Sequence, residues 1–142
     1  MKKLLLVGPK GSGKLTIANF LEDNRDLPLK KVASIVYHQK TIIVPDSYLE
    51  SPWMHKHIIA LQQSATCALF LQPITATRRS YPPNFSKVFR IPIYGVVTYY
   101  QAYKTDALLQ AQNQLKDCGI KKIDLILDLS SDDEKKKIKQ LF

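Results

Sequence analysis

An α/β fold on a six-stranded, mostly parallel sheet is predicted by three features of the sequence. Apolar runs rich in Val, Ile and Leu recur at Leu4 to Val7, Thr41 to Val44, Cys67 to Leu71, Ile93 to Thr98 and Ile123 to Leu127, as expected of parallel strands covered on both faces. A further run, Val32 to His38, stands too close to the Thr41 strand for a crossover helix, so it is expected to pair with that strand as an antiparallel hairpin at the sheet edge. The glycine-rich stretch Gly8-Pro9-Lys10-Gly11-Ser12-Gly13-Lys14 follows the first run directly and leads into a helical pattern.

Between the strands, helices are expected at about Gly13 to Leu21, Pro52 to Ala65, Asp106 to Cys118 and Asp132 to Leu141. Thr105 or Asp106 is placed to cap the third helix, and Gly119 to end it in a left-handed conformation. Ser131 is placed to cap the last, whose acidic start and Lys-rich later turns both complement the helix dipole. That makes helix electrostatics a sufficient reason for the KKKIK run. The stretch from Pro73 to Ser86, with Arg78, Arg79, Pro82 and Pro83, shows no apolar period and is expected to be an exposed loop.

A length of 142 residues suits one domain, and 45% hydrophobic with 23% charged residues is an ordinary globular composition. The apolar runs fall short of the roughly 20 residues that a membrane span needs. Met1 to Val7 is read as a first strand rather than a leader, because its apolar run stops at Gly8 and no cleavage site follows; a cytoplasmic protein is the expectation. Cys67 and Cys118 lack metal-site spacing and are expected to be reduced thiols. With 21 basic and 12 acidic residues the net charge is +9, which favours phosphate-bearing partners, but the basic pairs are scattered and nucleic acid is not required to explain them.

The chemistry is concentrated in residues 8 to 16. Glycines at Gly8, Gly11 and Gly13 allow backbone amides to converge on phosphate oxygens, the helix that begins there adds a partial positive charge, and Lys14 reaches for the outer phosphates. Gly8, Pro9, Lys10, Gly11, Ser12, Gly13, Lys14, Leu15 and Thr16 are therefore the candidate nucleotide-binding residues, for a purine nucleotide, ATP or GTP. The residue after the Lys normally offers Mg²⁺ a hydroxyl oxygen, and here it is Leu15. Thr16 lies about 100° further round the helix, off that spot. Asp46, after the hairpin strand, is the acidic candidate for Mg²⁺, with capping of the next helix as its other reading. Loss of the hydroxyl puts catalysis in doubt before binding.

With this loop at the start of the chain and PDSYLESPWMHKHI after the hairpin, the sequence resembles the EutP/PduV family of small Ras-like P-loop proteins encoded with bacterial ethanolamine- and propanediol-utilisation microcompartments. Pro45, Tyr48, Pro52, Trp53, His55 and His57 carry the resemblance outside the loop. It implies a three-layer P-loop NTPase sandwich over residues 1–142, cytoplasmic or microcompartment-associated, with nucleotide and the shell or enzyme proteins of the compartment as partners. The chain departs from the family where DTPG becomes Ile43-Val44-Pro45-Asp46, and where the guanine-reading [NST]KxD becomes Thr98-Tyr99-Tyr100-Gln101. Together with Leu15 these losses imply a degenerate member that binds nucleotide weakly, with relaxed base choice, or not at all, and whose GTP hydrolysis is impaired or absent.

Two other readings stand beside this one: a slow NTPase or ATP-dependent phosphotransferase, and a basic protein holding polyphosphate or nucleic acid on the same loop. His38, His55 and His57 are read as structural or surface residues, since positions 55 and 57 do not share a helix face. Tyr94, Tyr99, Tyr100 and Tyr103 are read as packing around the sheet edge rather than as a base platform, and Arg78 and Arg79 as unpaired loop arginines. Lys104-Thr105-Asp106 is read as a helix cap rather than as a displaced base-reading motif. No nucleophile motif or carboxylate pair suggests another catalytic site.

Overall fold

The computed structural model describes residues 3–22, 34–76 and 79–141. Its six strands are β1 (Lys3–Val7), β2 (Val36–Tyr37), β3 (Thr41–Ile43), β4 (Ala65–Pro73), β5 (Ile93–Tyr99) and β6 (Ile123–Asp128), ordered β2-β3-β1-β4-β5-β6 in one sheet. All neighbours run parallel except β2 and β3, which pair antiparallel with Val36 opposite Ile43. The hairpin at the edge is thus as the spacing predicts; the first two residues of the expected run, 32 and 33, lie outside the described residues.

Alternation along β1 shows why the sheet needs cover on both sides. Leu5 and Val7 join Ile42, Phe70 and Val97 in one apolar cluster, with Leu49, Ile58, Ala111 and Leu115 above them. Leu4 and Leu6 join Ile43, Leu69, Val96 and Leu127 in the other, with Ile17, Ala18, Leu21 and Ile138. Helices α2 (Asp46–Glu50), α3 (His55–Ala60) and α4 (Thr105–Asp117) therefore cover one face, while α1 (Lys14–Glu22) and the C-terminal segment that starts with α5 (Asp132–Lys135) cover the other. The result is a three-layer sandwich.

Gly119 ends α4 at φ 105°, with its own amide bonded to Lys116 O and the Ile120 amide to Leu115 O, the paired bonds of a left-handed helix stop. Ser131 accepts the Glu134 amide at 3.3 Å and caps α5. Thr105 and Asp106 do not cap α4: the capping position belongs to Lys104, whose side chain makes no cap bond, although Asp106 still lies in the first turn, where its charge suits the dipole. The expected helices at 52–65 and 132–141 are shorter and tighter. Pro52–Met54 and Leu61–Ser64 are 3-10 turns around α3, and Lys136–Gln140 is a 3-10 turn after α5. Pro52 cannot donate to a preceding turn, which separates α2 from α3.

The Pro73 to Ser86 stretch is not the exposed loop its composition suggests. Tyr81 and Phe85 are buried, and with Phe89 they surround Phe70; the Phe70 and Tyr81 rings stack at 5.1 Å. The Tyr81 hydroxyl lies 2.7 Å from Leu71 O and 3.0 Å from Val7 O, and burial pushes its pKa well above the phenol range, so it stays a donor. It ties β4 to the last residue of β1, where the glycine-rich loop departs. Tyr81→Phe keeps the ring and deprives these carbonyls of the donor; a loss of about 1–3 kcal/mol in urea unfolding is expected. Arg79 is paired with Asp117 at 3.5 Å, an exposed contact, which corrects the reading of an unpaired arginine; Arg78 lies outside the described residues.

Candidate functional site

β1 ends at Val7, and residues 8–13 turn the chain into α1. Gly11 and Gly13 adopt φ of 79° and 94°, a region that favours glycine, and so give the loop its curl. Ser12 donates its amide to Pro9 O, and Gly13 O accepts the Ile17 amide that opens α1. The first amides of a helix have no carbonyl one turn back, and a loop of this shape at a helix start is the arrangement that can take an anion.

The concavity is a cleft of about 260 Å³ lined by Pro9, Lys10, Gly11, Ser12, Gly13, Lys14, Leu15 and Thr16, with Ile43, Asp46 and Tyr100 closing its far side. Of the candidate residues, only Gly8 is absent from the wall; its carbonyl instead accepts from Lys14 Nζ at 2.5 Å. Lys14 is buried, and its Nζ also donates to Asp46 Oδ1 in an ion pair. Burial lowers the Lys14 pKa, while the bond and charge of Asp46 work in the opposite sense.

Asp46 reaches this point because β3 lies beside β1, with Ile43 level with Leu6 and the Val44 amide donating to Leu6 O. Pro45 holds the capping position of α2 without a side-chain bond, and Asp46 is the first helical residue. Its carboxylate serves Lys14 rather than the helix cap. For a divalent cation the donors in this arrangement are incomplete: Leu15 offers no oxygen, and Asp46 is engaged by Lys14. Among the described residues there is no group of three or more His, Cys, Asp or Glu that could hold a metal ion.

The loop also holds an unpartnered polar atom: the Ser12 hydroxyl oxygen is buried beside Gly8 with no hydrogen-bond partner among the described residues. Ser12 O is itself held by the Thr98 hydroxyl at 2.9 Å, which ties the loop to the end of β5.

The neighbouring strand ends are braced by Asp128. Its carboxylate accepts from Gln101 N at 3.1 Å, from Ser130 N at 2.9 Å and from Ser130 Oγ at 2.6 Å, and these bonds, led by the hydroxyl, lower its pKa. Gln101, at φ 65°, is thereby fixed beside β6. Tyr99 and Tyr103 pack edge to face at 4.7 Å, whereas Tyr100 is exposed and lines the cleft. Packing therefore accounts for the first two, and Tyr100 is the tyrosine that reaches the site. Thr98, Tyr81 and Asp128 were not singled out as site residues by the sequence pattern. The only signal for Tyr81 is the four-residue spacing of Tyr81, Phe85 and Phe89, interrupted by Pro82 and Pro83.

The histidines stand apart from the cleft. A ring nitrogen of His55 lies 2.7 Å from Leu49 O, and its ring packs 5.2 Å from Phe85; His57 is exposed, 6.4 Å from the Tyr48 ring. These are structural and surface positions.

A family model described as ethanolamine utilisation - propanediol utilisation matches residues 1–142. None of the curated proteins compared matches the chain. Among solved structures, the chain resembles translation elongation factor SelB from Methanococcus maripaludis, at 15% identity and a TM-score of 0.55, covering 99% of this chain and 34% of that one. It also resembles the cytosolic domain of the FeoB iron transporter of T. maritima, at 16% identity and a TM-score of 0.55, covering 99% of this chain and 62% of that one. At such identities the likeness is one of fold, and the chain spans about a third of the first structure and less than two thirds of the second.

Proposed function

Because the chain belongs to the PduV-EutP family, we propose that it is a nucleotide-binding P-loop protein of ethanolamine or propanediol utilisation, acting as one domain over residues 1–142. Residues Gly8 to Thr16 hold the phosphates of a purine nucleotide, ATP or GTP, and hydrolysis is impaired or absent. The protein works in the cytoplasm, with microcompartment shell or enzyme proteins as its partners.

The observation that carries binding is the strand-loop-helix cup itself, with Gly11 and Gly13 at positive φ and a buried lysine at its floor. Support for weak catalysis comes from Leu15 in the wall, where phosphoryl transfer calls for a metal-binding hydroxyl. A metal that neutralises the phosphates is a large part of that chemistry, so its loss costs turnover more than it costs binding.

Calorimetry with GTP, ATP and their diphosphates, with and without Mg²⁺, tests the reading. Metal-independent binding is expected, and Leu15→Thr is expected to add an Mg²⁺-dependent gain of about tenfold in triphosphate affinity, the worth of one charge-assisted contact. Strong Mg²⁺-dependent triphosphate binding by the unsubstituted chain would count against the proposal.

A further inference from the structure

The floor of the cleft holds an anion of the protein's own. In a phosphate loop the lysine is the cation that meets the β- and γ-phosphates, while the loop amides and the helix start hold the α- and β-phosphates, so the γ-phosphate depends most on the lysine. Here Lys14, 6% exposed, already has a counter-anion: the Asp46 carboxylate, 17% exposed, in direct contact with its Nζ. The remaining visible bond of Nζ goes back to Gly8 O. Both ends of the ion pair line the same cleft, so an incoming ligand meets a lysine whose charge is spent and a carboxylate beside it.

Sequence explains how the carboxylate gets there. β3 closes with Val44 bonded to Leu6, and Pro45 turns the chain so that the first residue of α2 faces the loop. The residue that arrives is an aspartate. A glycine or asparagine there would leave Lys14 without a counter-charge in a buried place, which is costly for a cation. The pair therefore stabilises the ligand-free cleft and opposes further negative charge at its outer end.

We infer that Asp46 is an internal competitor for the outer phosphate position, so that the cleft selects nucleoside diphosphates over triphosphates unless the Lys14–Asp46 pair is opened. This rests on the nucleotide-binding reading above and assigns Asp46 a role other than metal ligation. A diphosphate has its terminal phosphate shared between the loop amides and Lys14, so the amides and helix start still offset its charge. A third phosphate adds charge where Asp46 stands and must either displace it from Lys14 or sit against it. The short α2 segment, five residues long and entered through Pro45, is the part of the wall that carries Asp46 and would move with it.

The test measures affinities of the full chain for ADP, ATP, GDP and GTP in the presence of a chelator, repeats them with Asp46→Asn, and repeats the triphosphate pair with Mg²⁺ in place of the chelator. The unsubstituted chain is expected to bind each diphosphate at least about tenfold more tightly than its triphosphate, since like-charge contacts at an interface cost several kcal/mol. This comparison needs no substitution, so it stands even where the variant folds poorly. In Asp46→Asn, with folding checked by circular dichroism, triphosphate affinity is expected to rise and the gap to close to within about threefold.

Tighter binding of triphosphate by the unsubstituted chain without metal would overturn the inference. So would loss of triphosphate affinity in Asp46→Asn with Mg²⁺ present, which would make Asp46 a metal ligand. Equal binding of di- and triphosphates by both proteins would defeat the competitor role while leaving nucleotide binding intact. Absence of binding to either protein would defeat both readings at once.

Discussion

Phe70→Ala is expected to cost about 3–5 kcal/mol of folding stability, the range for removing a fully buried aromatic ring. Phe70 lies on β4, between β1 and β5, with no solvent exposure. Its ring stacks on Tyr81 at 5.1 Å and on Phe85 at 5.9 Å, and meets the edge of Phe89 at 5.4 Å. All three neighbours come from the 79–90 segment, which carries little regular structure beyond the 3-10 turn Phe85–Val88, so this ring, together with the Tyr81 hydroxyl bonds, anchors it to the sheet. A domain of ordinary stability has only about 5–15 kcal/mol in total, so the variant stands near the edge of folding. Urea unfolding should show a midpoint lower by on the order of 2 M.

The loss extends to the site through Tyr81, whose hydroxyl reaches Val7 O at the start of the phosphate loop. Since the two rings touch, Phe70→Ala and Tyr81→Phe should not add: once the stacking partner is gone, the Tyr81 bonds are already loosened, and the double variant should cost less than the sum. Strict additivity would mean that the hydroxyl holds its place without the ring.

This aromatic group also marks where the sequence ceases to be informative. The strands were legible because each is apolar on both faces, a consequence of being covered on both sides, and the hairpin was legible because the two residues between His38 and Thr41 leave no room for a helix. The loop was legible because glycine is the residue that adopts the φ of Gly11 and Gly13 without strain. Tyr81, Phe85 and Phe89 keep a four-residue spacing, but Pro82, Pro83 and Asn84, the last at φ 61°, interrupt any helix that would read it, so their burial is decided by Phe70, a residue distant in sequence. The Lys14–Asp46 pair is the same kind of case. Asp46 was recognisable as an acid beside the loop, but its partner is set by the adjacency of β3 and β1, and an aspartate that pairs with a lysine reads no differently from one that binds a metal or caps a helix. Its attachment to Lys14 is a tertiary fact, 32 residues apart.

Gly13→Ala is expected to cost about 2–5 kcal/mol, combining the strain of a side chain at positive φ with overpacking of a filled contact. At φ 94° an L-residue is disfavoured by the backbone alone. A methyl group there would also stand 2.4 Å from Leu129 Cδ1 and 3.0 Å from Cδ2. Leu129 has little room to yield: it is 2% exposed, packs in the cluster with Ile17 and Leu127, and its amide is bonded to Tyr99 O. Gly11 is the internal comparison. It has φ 79°, but nothing lies within 4 Å of an added carbon, so Gly11→Ala carries the backbone cost alone, about 1–2 kcal/mol. Thermal or urea unfolding of the two variants should therefore separate them, with Gly13→Ala the less stable. Adding Leu129→Ala to Gly13→Ala should recover part of the difference, because the second change removes the colliding atoms; an equal loss in the two glycine variants would show that the loop shifts freely away from β6. The same strain falls on the whole loop, since Gly13 joins it to the first turn of α1, and the added carbon would press that junction against Leu129.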